Sequence, residues 1–410
     1  TGSENASNFI VLRGYLDVVG GLDTVGIFSE RPIIIDNLVE GDSYFLSVVA
    51  KNSLGSSEPT EMLGVIPSSD DVKALIVNGF DRVNGTNNTF DFIRQHGSAL
   101  HTHGISFDAT SNEAVVSQQI DLLDYQFIDW ILGEEGTSTS VFSYSEQNKI
   151  IEYLESGKFL FISGSEIGYD LEAQGSDTDK DFYQNYLKAD YISDAAGGHQ
   201  GVYSAYGLLN TMFDGIDNMN YDNGSQGTYN VDWPDGIKPI GGASLCAAFT
   251  DTDYNTVGGM GVEYEGAFGF SNQTGGIVYL SVGFEAIYPE AKRNDLMLRI
   301  INKYESQLNT FDEIDIHPSD LKINNIYPNP SNNSMTISFS VLSQLSPIEI
   351  SIRNILGQQM YKTYITPKSR NINWTWHGND DQGFNAPSGT YFISLSQKNI
   401  SQTKKITLLK

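Results

Sequence analysis

Hydrophobic positions change their rhythm twice along this chain. Tyr44-Phe45-Leu46-Ser47-Val48-Val49-Ala50-Lys51-Asn52 alternates with period 2. That predicts a strand with Tyr44, Leu46, Val48 and Ala50 on one face. After a polar linker, Ser68-Ser69-Asp70-Asp71, alternation gives way to near-continuous apolar runs at residues 72–77, 127–132 and 159–162. Such runs predict strands buried on both faces, as in a parallel sheet. Helical stretches lie between them, around Thr89 to Gln95 and Ala114 to Leu122. A further helix carries the stripe Ile150, Ile151 and Leu154, with Ser143 and Glu146 at capping-box spacing and Gly157 as its left-handed stop. Strand alternating with helix argues for a doubly wound parallel sheet.

From Asp170 to about Gly236 the pattern loosens into a polar region rich in Asp, Gly, Asn and Tyr, which predicts a rim of short elements. The sheet resumes at residues 276–285. A helix after Pro289 closes it, with Leu296, Met297, Ile300, Ile301 and Tyr304 at helical spacing. Beyond Ile326 the chain alternates again, for instance along Ile348, Ile350 and Ile352. The expected fold class is therefore multidomain. An α/β doubly wound domain (flavodoxin- or amidotransferase-like) at residues 72–306 is flanked by two all-β sandwich domains, at 1–67 and 321–410.

Composition bounds the function. The 410 residues suit two to four domains, and no apolar run is long enough to span a bilayer. No basic, Leu-rich leader opens the chain, so any signal peptide is expected to be removed or to lie upstream of Thr1. The single cysteine, Cys246, excludes an intramolecular disulfide framework and a thiolate zinc site, and its small apolar surroundings predict a packing role. The net charge of −27 is uneven: from Leu321 onward nine Lys/Arg face three Asp/Glu, a net +6, which leaves −33 on the preceding 320 residues. An acidic body repels phosphates, which argues against nucleic acid and anionic membranes as main partners.

Leu38-Val39-Glu40-Gly41-Asp42-Ser43-Tyr44 has the form of a tyrosine corner, and the N-terminal block resembles the C-terminal two-thirds of a fibronectin type III domain. No tryptophan precedes Trp130, so the opening strands are missing and the chain is expected to start inside a longer precursor. At the other end stand Tyr327-Pro328-Asn329-Pro330, the turn Ile355-Leu356-Gly357-Gln358, the hairpin Trp376-His377-Gly378-Asn379-Asp380-Asp381-Gln382-Gly383, Ser388-Gly389-Thr390-Tyr391-Phe392 and a Lys-rich end. This ordered set resembles the type A C-terminal sorting domain of type IX secretion cargo, and related bacterial Ig-like modules. The resemblance implies a translocon and an outer-membrane shuttle as partners, and an extracellular or outer-surface location after passage through the periplasm.

The middle domain resembles the class I glutamine amidotransferase-like superfamily, in which a strand runs into a Gly-x-Cys-x-Gly elbow and a later strand ends at a histidine. Here the elbow reads Gly164-Ser165-Glu166-Ile167-Gly168 and the late strand Gly283-Phe284-Glu285-Ala286. Glu166 and Glu285 take the two positions, so amide transfer by the family mechanism is excluded. Ser165 lacks the flanking glycines of a serine elbow, and His199 is the plausible base for it. Glu166, Glu285, Glu134 and Asp81 all follow expected parallel strands, where ligands sit in open α/β sheets, and Arg82 accompanies them.

Paired carboxylates there suit acid/base work on a glycosidic bond, with Glu166 and Glu285 as the catalytic candidates. The same set, with Asp81, Arg82, Glu134, Ser165 and His199, equally suits ligand binding, calcium, or structural capping. Calcium is also an option for Asp177-Thr178-Asp179 and Asp251-Thr252-Asp253, which lack EF-hand spacing. An aromatic-rich rim (Tyr203, Tyr206, Tyr221, Tyr229, Trp233) suits sugar stacking or loop packing. The leading expectation is a non-catalytic accessory or ligand-binding region of a larger exported protein. A polysaccharide or peptidoglycan hydrolase and a structural adhesin or surface-layer protein are the alternatives.

Overall fold

The computed structural model describes residues 5–15, 18–68, 74–82, 89–136, 140–311, 321–332, 334–340, 347–366, 371–397 and 400–409. The expected linker at 69–71 and strand start at 72–73 lie outside them. The chain forms two compact units, residues 1–311 and 312–410.

The first unit opens with an antiparallel sheet: β1 (Asn8–Tyr15), β2 (Val18–Phe28), β3 (Tyr44–Asn52), β4 (Gly55–Ser56) and β5 (Leu63–Val65), with β3 central between β1 on one side and β4 and β5 on the other. The tyrosine-corner bond is present, as the Val39 N–H donates to Tyr44 Oη at 2.8 Å. Two expectations change. The described residues here form one sheet instead of a two-sheet sandwich. Phe45, Phe107 and the helix glycine Gly97 meet in close contact, and the Ile66 N–H donates to Phe107 O at 2.9 Å, so the sheet packs directly on the domain that follows. That contact also sets which face of β3 is the more deeply buried, although Tyr44 on the other face is buried too. Phe45, Ser47 and Val49 are buried, whereas Leu46, Val48 and Ala50 are only half-buried.

The large sheet of this unit has ten strands. In chain order the elements are β6 (Ala74–Asn78), α1 (Ile93–Thr102), β7 (Phe107–Ser111), α2 (Asn112–Val116), β8 (Phe127–Gly133), α3 (Tyr144–Glu155) and β9 (Phe159–Gly164). The rim then contributes α4 (Asp177–Phe182), β10 (Ala189–Ser193), β11 (Ser204–Gly207), β12 (Met219–Tyr221), β13 (Gly236–Pro239), β14 (Ser244–Phe249) and α5 (Tyr254–Val257). Finally come β15 (Gly261–Ala267), β16 (Thr274–Leu280), β17 (Ile287–Tyr288) and α6 (Glu290–Phe311).

The order β16-β9-β8-β6-β7 is parallel throughout, and β15, β14, β11, β12 and β17 extend it with antiparallel pairs. Every residue of β6, β8 and β9 is buried. Their side chains alternate between two cores, as a pleat requires. Ile76, Phe127 and Phe161 join Leu100 of α1 and Ile300 of α6, while Val77, Trp130 and Ile162 join Val115 of α2 and Leu154 of α3. Local signals fix the helix ends: Ser143 and Glu146 form the capping box of α3, and Gly157 adopts φ +85° after it.

The second unit has two antiparallel sheets. One contains β18 (Lys322–Tyr327), β19 (Met335–Ser340) and β22 (Asn371–Trp376). The other contains β20 (Ile348–Asn354), β21 (Gln359–Ile365), β23 (Gly389–Gln397) and β24 (Ile400–Leu408), in the order β21-β20-β23-β24. Ile337 and Phe339 of the first share a core with Ile350, Ile352, Ile393 and Leu395 of the second, which makes a sandwich.

Candidate functional site

The carboxyl ends of β6, β8, β9 and β16 supply the candidate site. At the end of β9 the chain turns sharply: the Ser165 N–H donates to Gly133 O at 2.7 Å, and Glu166 takes φ +62°. A non-glycine residue in the left-handed region is strained, by about 1–3 kcal/mol, and persists only when its surroundings impose it. The Ile167 side chain, buried in the core below, holds the elbow down.

Arg82 ties three strand ends together. Its Nη1 donates to Glu134 O at 2.8 Å and lies 3.7 Å from Glu166 Oε2. Glu135, almost fully buried, fixes the Arg82 backbone by accepting the N–H groups of Asp81 (3.1 Å) and Arg82 (2.8 Å) through Oε2. Burial pushes the Glu134 carboxyl up to about 8; Arg82 opposes this, and the negative charges of Asp232, Glu166 and Glu285 add to it. Glu134 therefore carries its proton at neutral pH beside the Arg82–Glu166 pair.

Glu285 lies fully buried. Its Oε1 accepts Tyr229 Oη at 2.5 Å, and its Oε2 is 3.2 Å from His96 Nε2. The other nitrogen of His96 is 2.8 Å from Asp129 Oδ2. Burial alone pushes the imidazole down, but Asp129 and Glu285 overcome this and hold it up at about 9. His96 thus bridges two buried acidic side chains, with burial pushing the Asp129 carboxyl up as well, and joins α1, β8 and the turn after β16 to the rim tyrosine.

The rim comes from residues 194–201 and 230–235, linked by the Ala196 N–H to Pro234 O and Gln200 N–H to Asp232 O bonds. His199 stacks on Trp233 with ring centroids 4.4 Å apart, and its Nε2 is 3.0 Å from Asp232 Oδ2. Trp233 is 37% exposed. Asp235 turns inward and accepts the N–H groups of Gly168 (2.7 Å) and Tyr169 (3.4 Å). The helical turn after the elbow is therefore capped from within, and burial drives the Asp235 carboxyl far up.

Of the residues singled out from sequence, Arg82, Glu134 and Glu166 stand together. Glu285 is bound behind them by His96 and Tyr229. Asp81 is exposed as a residue, yet its backbone N–H donates to Glu135, its side chain also interacts with Glu135 and Asn112, and partial burial pushes its carboxyl up. Ser165 and His199 have separate partners: Ser165 Oγ donates to Gly133 O at 3.4 Å, and His199 pairs with Asp232.

Sequence reasoning missed Glu135, His96, Asp129 and Asp235. Asp129 carried a usable signal, because an acid inside a strand expected to be buried on both faces demands a partner. The Asp-rich segments act as caps: Asp179 completes the capping box of α4, and Asp253 accepts the Asn255 N–H at the start of α5. Among the described residues, no group of three or more His, Cys, Asp or Glu side chains is arranged to hold a metal ion. Cys246 is buried in β14.

Comparison with known proteins identifies the tail. Residues 325–409 match the family described as the secretion system C-terminal sorting domain. No curated protein matches the chain.

Among solved structures, the chain is similar to PorZ, an essential surface component of the type IX secretion system of Porphyromonas gingivalis. The identity is 16%, covering 22% of this chain and 12% of that one, with TM-score 0.17. It is also similar to the mmIFT52 N-terminal domain, at 12% identity over 60% of this chain and 100% of that one, TM-score 0.38. A putative thua-like protein from Bacteroides uniformis gives 11% identity, 58% and 93% coverage and TM-score 0.38. Likenesses this distant carry no argument here. The sorting-domain match does: the protein is cargo of the type IX secretion system, with an address for export to the cell surface or the extracellular space. Among the described residues, no helix is long and apolar enough to cross a membrane.

Proposed function

We propose that the central domain is an amidotransferase-like scaffold whose elbow has become a binding site for neutral glycans, serving as the accessory region of an exported protein. The observation that carries this reading is Glu166. It sits at the tip of a strained elbow, paired with Arg82 and beside a protonated Glu134. A charged side chain kept in a costly conformation at a strand end favours a site with a task.

The surroundings favour sugar. Carboxyl and guanidinium groups suit hydroxyls, while the Trp233–His199 stack offers an apolar face to a pyranose ring. Local negative charge disfavours anionic ligands. Internal bonding of Glu285, Glu135 and Asp235 favours binding over turnover, since these groups are already committed.

Titration calorimetry of the full chain against neutral plant and cell-wall oligosaccharides tests this. Trp233→Ala and Glu166→Gln are each expected to weaken binding at least tenfold. Failure of every neutral oligosaccharide to bind, or binding indifferent to both changes, overturns it.

One observation favours a second reading, an extracellular glycoside hydrolase. Burial pushes the Glu134 carboxyl up to about 8 beside a second carboxyl, Glu166, and a carboxyl that holds its proton near another is a starting point for acid/base chemistry. Release of reducing ends that is lost in Glu134→Gln would establish that reading in place of the first.

A further inference from the structure

The turns of the sorting domain gather at two poles, and one of them has unusual chemistry. Strands β18, β20 and β22 end there and β19, β21 and β23 begin there; Gly389 of β23 pairs with Leu408, and Ser331 bridges to Leu408. Five large apolar side chains at this pole, Tyr327, Ile355, Leu356, Phe384 and Leu409, are between 51 and 77% exposed. Their backbone is held firmly. Asn354 Oδ1 accepts the N–H groups of Leu356 (2.9 Å) and Gln358 (3.0 Å), and Gly357 takes φ +76°. Asp380 Oδ1 likewise accepts Gln382 (3.0 Å) and Phe384 (2.8 Å).

The two turns are joined, as the Asp381 N–H donates to Met360 O at 2.9 Å and Asp381 Oδ1 accepts the Lys362 N–H at 2.7 Å. The Leu409 N–H donates to Ser331 O at 2.7 Å, which fixes Leu409 at the same pole. Large apolar residues clustered on rigid, hydrogen-bonded turns gain nothing for the fold by facing water. Such a patch marks an interaction surface, and its rigidity lowers the entropy lost on binding.

We propose that this pole is the surface by which the exporter reads its cargo, with Ile355, Leu356 and Phe384 as anchors that enter an apolar socket on a protein of the type IX machinery. The proposal rests on the sorting-domain assignment, which already requires such a partner. It goes further in naming the side chains and the chemistry: apolar anchors presented by preformed turns, with few residues carrying most of the recognition.

The test uses the full chain, delivered to the periplasm of a bacterium with a type IX exporter. The triple variant Ile355→Ser/Leu356→Ser/Phe384→Ser is expected to lower exported protein at least tenfold and to accumulate in the periplasm. Tyr364→Ser, an exposed aromatic on a strand at the opposite end of the sheet, is expected to export normally. If the triple variant fails to fold by circular dichroism, the single changes Leu356→Lys and Phe384→Lys at the exposed tips take its place with the same expectation. Normal export of the folded variants, or equal loss in Tyr364→Ser, overturns the proposal. A photo-crosslinker at Leu356 is expected to capture an exporter protein; capture of a second copy of this chain overturns it. Removal of residues 321–410 separates the two levels, because export that survives that deletion refutes the sorting assignment itself.

Discussion

Glu166 and His96 show two ways in which one residue bears on the whole. At Glu166 the backbone is strained at φ +62°, and glycine would remove that strain. Glu166→Gly is expected to raise stability, by about 1 kcal/mol, while abolishing ligand binding. Denaturant midpoints set beside calorimetric binding check this; a variant that loses stability and keeps binding contradicts it.

His96 is the reverse case, in which a buried charge is stabilised by its partners. Removing it leaves two carboxylates to be buried without it, so His96→Ala is expected to destabilise the first unit by about 3–5 kcal/mol. The pH dependence follows the protons. Glu134 (about 8), Glu61 (about 7, raised chiefly by burial) and His96 (about 9) all bind protons more tightly folded than unfolded. Their contribution is full below the unfolded values, near 4.5 for the carboxyls and 6.5 for the imidazole, and is lost as pH rises through the folded ones. Thermal midpoints of the protein are expected to fall between pH 6 and pH 9. In His96→Gln the part of that fall above pH 6.5 should shrink. A flat profile would contradict the assignment.

Elements were legible where local chemistry and burial agree. The apolar runs of β6, β8 and β9 name strands buried on both faces, and Ser143, Glu146 and Gly157 fix both ends of α3 because caps are local bonds. Ser143→Ala is accordingly expected to cost about 1 kcal/mol by chemical denaturation. Contacts between distant segments were not legible. The more buried face of β3 is set where Phe45 meets Phe107, and nothing near either residue announces that meeting. β7 was missed since Phe107-Asp108-Ala109-Thr110-Ser111 is a short edge strand with weak apolar character. The site was half-visible for the same reason. Arg82, Glu134 and Glu166 follow strand ends and could be named, whereas His96 on α1 and Asp235 in the rim enter through packing alone.

At the scale of the molecule, the uneven charge matches a division of labour. The acidic body carries the elbow site, and the basic tail carries the export address. The proposal that the elbow site binds a ligand without turning it over is open to direct measurement. The most direct measurement is to incubate one sample of the full chain with neutral oligosaccharides and record both calorimetric binding and reducing ends released. The account predicts saturable binding that weakens at least tenfold in Glu166→Gln and Trp233→Ala, with no reducing ends above a protein-free control. Reducing ends that appear with the native chain and vanish in Glu134→Gln or Glu166→Gln would contradict it and make the site an enzyme.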